Sequence, residues 1–210
     1  MITREALMEA ADSRFTKEVH DRLRHSAVAI AGLGGLGSHV AVMLARCAVG
    51  KLLLVDFDTV EVTNLNRQAY GVRHLGMKKT EALTEILREI NPYIEIERET
   101  VYVNEENIEE IFSSYEIVCE AFDSPECKAS LVNTLMEKLP KTKIVAASGM
   151  AGYGSSNRIQ TEKKMKNFYL CGDQTTDIAQ GIGLMAPRVQ ICAGHQGNMI
   201  VRLILGQEEC

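Results

Sequence analysis

Apolar residues along this chain follow two rhythms, and the rhythms alternate. Residues 27–31, AVAIA, form an unbroken apolar run that stops at Gly32, as expected of a strand buried on both faces of a parallel sheet. SHVAVMLARCAVG, from Ser38, carries apolar residues at helical spacing and closes at Gly50. KLLLVDFD follows as a second buried strand that ends in two acids, Asp56 and Asp58. Further on, KKTEALTEILREINP predicts a helix stopped by Pro92, and IEIERETVYV predicts a strand. NEENIEEIFSS predicts a short helix with Asn104 as its cap, and YEIVCEAF another strand. In PECKASLVNTLMEKLP, Asp123 or Ser124 can cap the helix and Pro125 can take its first position. KIVAASGM is the next strand.

Strands and helices that alternate in this way predict an α/β fold with a doubly wound, mostly parallel sheet. After Gly149 the rhythm changes. AGYGSSNRIQTEKKMKNFYLCGD predicts one or two antiparallel strands, QTTDIAQGIG a polar loop, and the remainder a helix; residues 171–185 are expected to be mobile. The chain therefore reads as one domain over 1–210. It has an N-terminal helical segment (1–26), a core (27–150) and a small antiparallel C-terminal extension (151–210).

Composition narrows the function. With 210 residues, 46% of them apolar and 24% charged, this is an ordinary globular chain. A net charge of −5 without a basic tract argues against a nucleic-acid partner. Cys47, Cys119, Cys127, Cys171, Cys192 and Cys210 form no C-x-x-C pair, which speaks against both a disulfide framework and a four-cysteine zinc site. The charged N-terminus lacks a signal-like apolar stretch, and Arg188, His195 and Arg202 interrupt the apolar C-terminal segment. A cytoplasmic protein without a membrane span is expected.

The chemistry starts at Gly-Leu-Gly-Gly-Leu-Gly, residues 32–37, between the first strand and helix. Gly32, Gly34, Gly35 and Gly37 leave backbone N–H groups unshielded where a helix presents its positive end, so an anion is favoured. Strand, glycine turn, helix and strand in succession form the Rossmann-like dinucleotide-type unit. Asp56, at the end of the second strand, suits ribose hydroxyls. ATP and NAD are served equally up to this point. The stretch between Thr59 and Met77 tips the balance, since Asn64, Arg67 and Gln68 follow the acids and Lys79 opens the next helix. A triphosphate needs such cations far more than a dinucleotide does, and Asp123 at a strand end can hold Mg²⁺.

GLGGLGS, LLLVDFDTVEVTNLNRQ, G-M-K-K at 76–79 and AFDS at 121–124, in that order, resemble the ThiF/MoeB family of ubiquitin-activating-enzyme-like adenylyltransferases, most nearly a short ThiF-type protein. TTDIAQGIGLMAPRV and the helix after it look similar to the same branch. The resemblance implies that the Gly-Gly carboxylate of a small ubiquitin-like sulfur carrier, of the ThiS type used for the thiamine thiazole, attacks the α-phosphate of ATP. An acyl-adenylate forms and pyrophosphate leaves. Carriers of the molybdopterin or cysteine pathways, or a tRNA-linked carboxylate, are the alternatives. It further implies that Asp56 holds the ribose, that Asn64 and Arg67 contact phosphates, and that Lys79 neutralises the triphosphate. Asp123 would bind Mg²⁺, with Asp58, Gln68 and Ser124 lining the nucleotide. Zinc is not expected, because the paired cysteines of larger members are missing. A homodimer is implied, with Lys17 or Arg14 of R-F-T-K-E reaching into the other subunit's site. Cys171 in LCGD is the nearest candidate for a thiol that accepts the activated carrier.

Plainer readings stand beside these. Asp58 reads equally well as a solvated loop acid, Asp123 as only a helix cap, and Cys171 as a structural thiol. Cys47, Cys119 and Cys192 read as small core residues, His39 and His195 as packing or surface residues, and Glu105–Glu110 as a solvated face. An NAD(P)-dependent oxidoreductase is the rival from a different class, although no convincing proton relay is evident.

Overall fold

The computed structural model describes residues 2–210. Two helices come first, α1 (Arg4–Asp12) and α2 (Lys17–Arg24), each capped by a threonine hydroxyl, Thr3 on Ala6 N and Thr16 on Val19 N. The alternating core follows: β1 (Ala27–Ala31), α3 (Gly37–Arg46), β2 (Lys51–Val55), α4 (Lys79–Ile90), β3 (Glu95–Glu99), α5 (Ile108–Phe112), β4 (Ile117–Glu120), α6 (Pro125–Lys138) and β5 (Lys143–Ala147). β6 (Gln160–Met165), β7 (Phe168–Gly172) and the long α7 (Ala186–Ile204) complete the chain.

These strands form one seven-stranded sheet in the order β3-β2-β1-β4-β5-β7-β6. The run 3-2-1-4-5 is parallel and is the doubly wound order, with its reversal between β1 and β4. Because side chains alternate along a strand, each central strand feeds two cores. Val28, Ile30, Leu52 and Leu54 pack with Val40 and Leu44 of α3, Leu83 and Leu87 of α4, and Ile200 of α7. Ala29, Ala31, Leu53 and Val55 pack on the other face with Ile108 and Phe112 of α5 and Leu131 and Leu135 of α6. Runs such as AVAIA are apolar throughout for this reason, with no polar face to alternate.

The antiparallel C-terminal extension is one pair, β6 with β7, and β7 also joins β5 in parallel, which ties the extension into the sheet. One expectation needs adjustment. α5 begins at Ile108 with Asn107 before it, while Asn104 Oδ1 closes the preceding turn by accepting from the backbone N–H of Glu106 and Asn107. The stretch 59–77 contains 3-10 turns at Val62–Asn64 and Val72–His74, and a backbone pair, Thr59 with Lys78, returns it to α4. Among the described residues, no helix is long and apolar enough to cross a membrane.

Candidate active site

Strand register brings the candidate residues to one rim. Ala31 pairs with Val55 on one side and Glu120 on the other, so Gly32, Asp56 and Ala121 leave the sheet at the same level. Each glycine in the turn has its own reason to be there. Gly32 has φ +91°, and a Cβ there would lie 2.7 Å from the Ala121 carbonyl oxygen. A Cβ on Gly37 would lie 1.8 Å from the Gly32 carbonyl oxygen, and one on Gly35 2.9 Å from Val189 Cγ1 of α7. Gly34 is open: a Cβ would meet only Gln68 Nε2, at 3.8 Å. Three glycines thus allow close packing, and one leaves bare backbone for a ligand.

Asp56 anchors this turn. Its Oδ2 accepts from the backbone N–H of Leu33 at 2.7 Å and its Oδ1 from that of Asp58 at 2.8 Å. Tyr70 Oη donates to the Leu33 carbonyl at 2.8 Å, so Leu33 is held at both ends. Burial pushes the Asp56 carboxyl above its usual range, and the Lys79 ammonium and the two backbone donors oppose this. Lys79, the first residue of α4, is itself buried, with Nζ 2.6 Å from Asp58 Oδ2 and 3.8 Å from Asp56 Oδ2. Both acids of DFD therefore converge on the one lysine.

The following loop packs against the glycine turn. Ser38 Oγ accepts from Ala69 N, and His39 Nε2 lies 3.1 Å from the Arg67 carbonyl. Arg67 donates from one terminal nitrogen to the Thr63 carbonyl and to Asn66 Oδ1, and Asn66 Nδ2 donates to the Leu184 carbonyl ahead of α7. Asn64 Oδ1 accepts from Glu61 N, closing the turn. Gln68 is buried beside Gly34, and its amide oxygen lacks a partner among the described residues. A buried acceptor next to open backbone suits a ligand donor.

Sequence reasoning missed the polar groups beneath the β4 rim. Glu120, the last residue of β4, is 1% exposed, and both of its oxygens lie 3.1 Å from Lys128 Nζ of α6. Lys128 also donates to the Ala147 carbonyl, and Glu120 Oε1 accepts from Phe122 N, which fixes the turn leading to Asp123. Gln196 Nε2 of α7 donates to the Glu120 and Val145 carbonyls. An acid that ends an apolar strand, as Asp56 does on β2, was the available signal. Asp123 itself is exposed, and the Ser124 hydroxyl caps α6, accepting from Cys127 N and donating to Glu126. No cluster of three metal-ligating side chains occurs among the described residues. The lone Asp123 carboxylate suits Mg²⁺ arriving with a triphosphate, which needs only one or two protein ligands.

Beyond β7, the buried pair Asp173–Arg188 ties the chain into α7. Arg188 donates to the Gly154 and Ser155 carbonyls at 2.7 Å as well as to Asp173. Burial would raise the Asp173 carboxyl, but the Thr175 and Thr176 donors and the Arg188 guanidinium outweigh it and hold it at about 2. Cys171 is fully buried in β7, and burial pushes its thiol up to about 12, so it is a core residue and not an exposed nucleophile. Arg14 lines a cavity of about 760 Å³ with Arg24, Gly50 and Glu95, at the opposite ends of β1–β3 from the rim, and Lys17 opens α2 at the same pole.

Known proteins resemble this chain in sequence or in fold. A stretch of 95 residues is 44% identical to ubiquitin-like modifier-activating enzyme 5 of Arabidopsis thaliana, covering 45% of this chain and 22% of the relative. A stretch of 130 residues is 35% identical to adenylyltransferase and sulfurtransferase uba4 of Pyricularia oryzae, covering 61% and 26%. The matches thus span about a quarter of these relatives' length or less. The E. coli tRNA N6-threonylcarbamoyladenosine dehydratase TcdA, solved with AMP, superposes with TM-score 0.87 over 99% of this chain and 98% of that one at 21% identity, a likeness of fold. The ThiF family model matches residues 8–210. With the glycine turn, DFD, G-x-x-K and strand-end Asp123 all on one rim, the chain belongs to the ThiF family.

Proposed function

We propose that this protein is an ATP-dependent adenylyltransferase that activates the C-terminal carboxylate of a small ubiquitin-like sulfur carrier ending in Gly-Gly, of the ThiS type. The observation that carries this reading is the buried Lys79 ammonium at the rim, 3.8 Å from the Asp56 carboxylate that holds the glycine turn at Leu33 N. A buried cation there serves an anion that develops charge as a bond breaks. The relatives named for modifier activation and adenylyl transfer support the same chemistry.

Asp56 uses two of about four acceptor positions, one on Leu33 N of the glycine turn and one on Asp58 N, which leaves others for ribose hydroxyls. Gln68 adds a buried amide oxygen that lacks a partner among the described residues. Arg67 and Asn64, on the flanking loop, supply a guanidinium and an amide for the phosphates. The carrier's carboxylate is ionised at neutral pH and needs no general base. It attacks the α-phosphorus, an acyl-adenylate forms, and pyrophosphate leaves with its charge facing Lys79. Asp123 would hold Mg²⁺, which neutralises triphosphate charge when bound. Arg14 and Lys17 lie at the far pole, so either can serve a nucleotide only in a second copy's site; a homodimer is part of the proposal.

ATP–pyrophosphate exchange tests this reading, with Mg²⁺ and a Gly-Gly-terminated carrier. Exchange that appears only with the carrier is expected. No exchange with any carrier tried, together with tight NADH binding, would return the chain to the dehydrogenase class. A monomeric mass by light scattering would remove the role given to Arg14 or Lys17.

A further inference from the structure

Asp58 differs from its two ionic neighbours. The Lys79 and Asp56 side chains are 7% and 8% exposed, whereas that of Asp58 is 46% exposed. Asp56 cannot move away, because Leu33 N and Asp58 N hold its two oxygens. The Asp58 backbone is equally fixed: its N–H donates to Asp56 and its carbonyl accepts from Lys79 N at 3.0 Å. Its carboxylate is held by the Lys79 ammonium alone among the described residues. One rotation about the Asp58 side chain therefore moves a negative charge into water and uncovers a positive one. With Asp58 in place, the two acids and one lysine carry a net charge of −1, which repels an incoming polyphosphate.

We infer that Asp58 is a counter-ion for the empty site, a specificity-determining residue that covers Lys79 between turnovers, is displaced by the outer phosphates of a nucleoside triphosphate, and returns to help expel pyrophosphate. This rests on the ATP-dependent reading above, and it gives Asp58 a role other than nucleotide ligand. Asp56, at 3.8 Å, neutralises the Lys79 ammonium without hydrogen-bonding to it, so when a polyanion leaves, the buried donor needs a second anion to take its place. A half-exposed carboxylate on a fixed backbone supplies one without rearranging the fold. The exchange is selective by charge: it opposes groups that reach Lys79 and leaves a monophosphate nucleotide almost untouched.

The test measures AMP, ADP and ATP binding by calorimetry to the native protein, Asp58→Asn and Asp58→Ser, with thermal melting of each as a folding control. Both variants are expected to bind ATP about tenfold more tightly, for one repulsive charge removed at a partly solvated site. ADP should gain less and AMP almost nothing. Pyrophosphate release after one turnover should slow by a similar factor. Weaker ATP binding by both variants would make Asp58 a direct ligand and overturn the inference, as would an equal gain for AMP. A native protein that binds none of the three nucleotides overturns the ATP-dependent reading itself. Asp58→Ser carries the test should Asn disturb the fold.

Discussion

The Asp56 carboxylate holds the backbone N–H of Leu33 at 2.7 Å, joining the end of β2 to the glycine turn that follows β1. The acid proposed for the ribose is thus also a structural one. Asp56→Asn turns one acceptor into a donor that faces a buried N–H. Unfolding free energy should fall by about 1–3 kcal/mol in urea titration, with nucleotide binding lost. Unchanged stability would show that the bond is dispensable.

Gly34 and Gly37 should separate binding from folding. Gly34→Ala meets nothing closer than 3.8 Å and should melt within about 2 °C of the native protein, while its methyl obstructs a ligand and weakens nucleotide affinity about tenfold or more. Gly37→Ala puts a Cβ 1.8 Å from the Gly32 carbonyl oxygen and should not yield folded protein. Circular dichroism with nucleotide titration reads both, and a tight-binding Gly34→Ala would remove the phosphate from this turn.

Lys79→Met should reduce ATP–pyrophosphate exchange by about 10²–10³, the usual effect of removing one donor to developing charge. Arg67→Lys should also lose activity, since a lysine lacks the planar fork that the loop now holds. Full exchange activity in Lys79→Met would contradict the assignment of the leaving group's cation.

Lys128→Met leaves Glu120 charged and buried alone, at a cost of about 3–5 kcal/mol. Glu120→Gln with Lys128→Met should regain part of that loss, because no isolated charge remains. Chemical denaturation of the two proteins decides it. A double variant no more stable than Lys128→Met alone would mean that Glu120 carries little charge in the fold.

The Asp173 carboxyl lies at about 2 when folded, against an ordinary value near 3.8. The depressed folded value means that its contribution is complete above about pH 4 and disappears as pH falls through 2. The full contribution is about 2 kcal/mol. Replacing Asp173 by Asn should flatten the acid limb of stability against pH. An unaltered limb would place acid sensitivity elsewhere.

The core strands were legible because burial on both faces leaves an unbroken apolar run: AVAIA ends where β1 ends, while β2 stops at Val55, ahead of the acids that close KLLLVDFD. The direction of β7 was not legible, since alternation has the same period in parallel and antiparallel strands. On the rim, the glycines, Asp56 and Lys79 stood out because their chemistry lies in short, ordered motifs. That both acids of DFD already hold Lys79 depends on a loop folding back over 21 residues, which spacing does not show. Glu120, Gln196, Asp173 and Arg188 were missed for the same reason, with Gln196 reaching Glu120 across 76 positions.

Helix α7 leans on the glycine turn through Val189, receives Asn66 at the Leu184 carbonyl just before it, and threads Gln196 beneath β4. The glycine turn after β1 is thus buttressed by a helix far along the chain. During synthesis the turn stays unsupported until α7 has been made, long after β1 and α3. Proteolytic trimming that removes α7 would take away this buttress and, with Ile200 and Leu203, part of the core packed on β1 and β2.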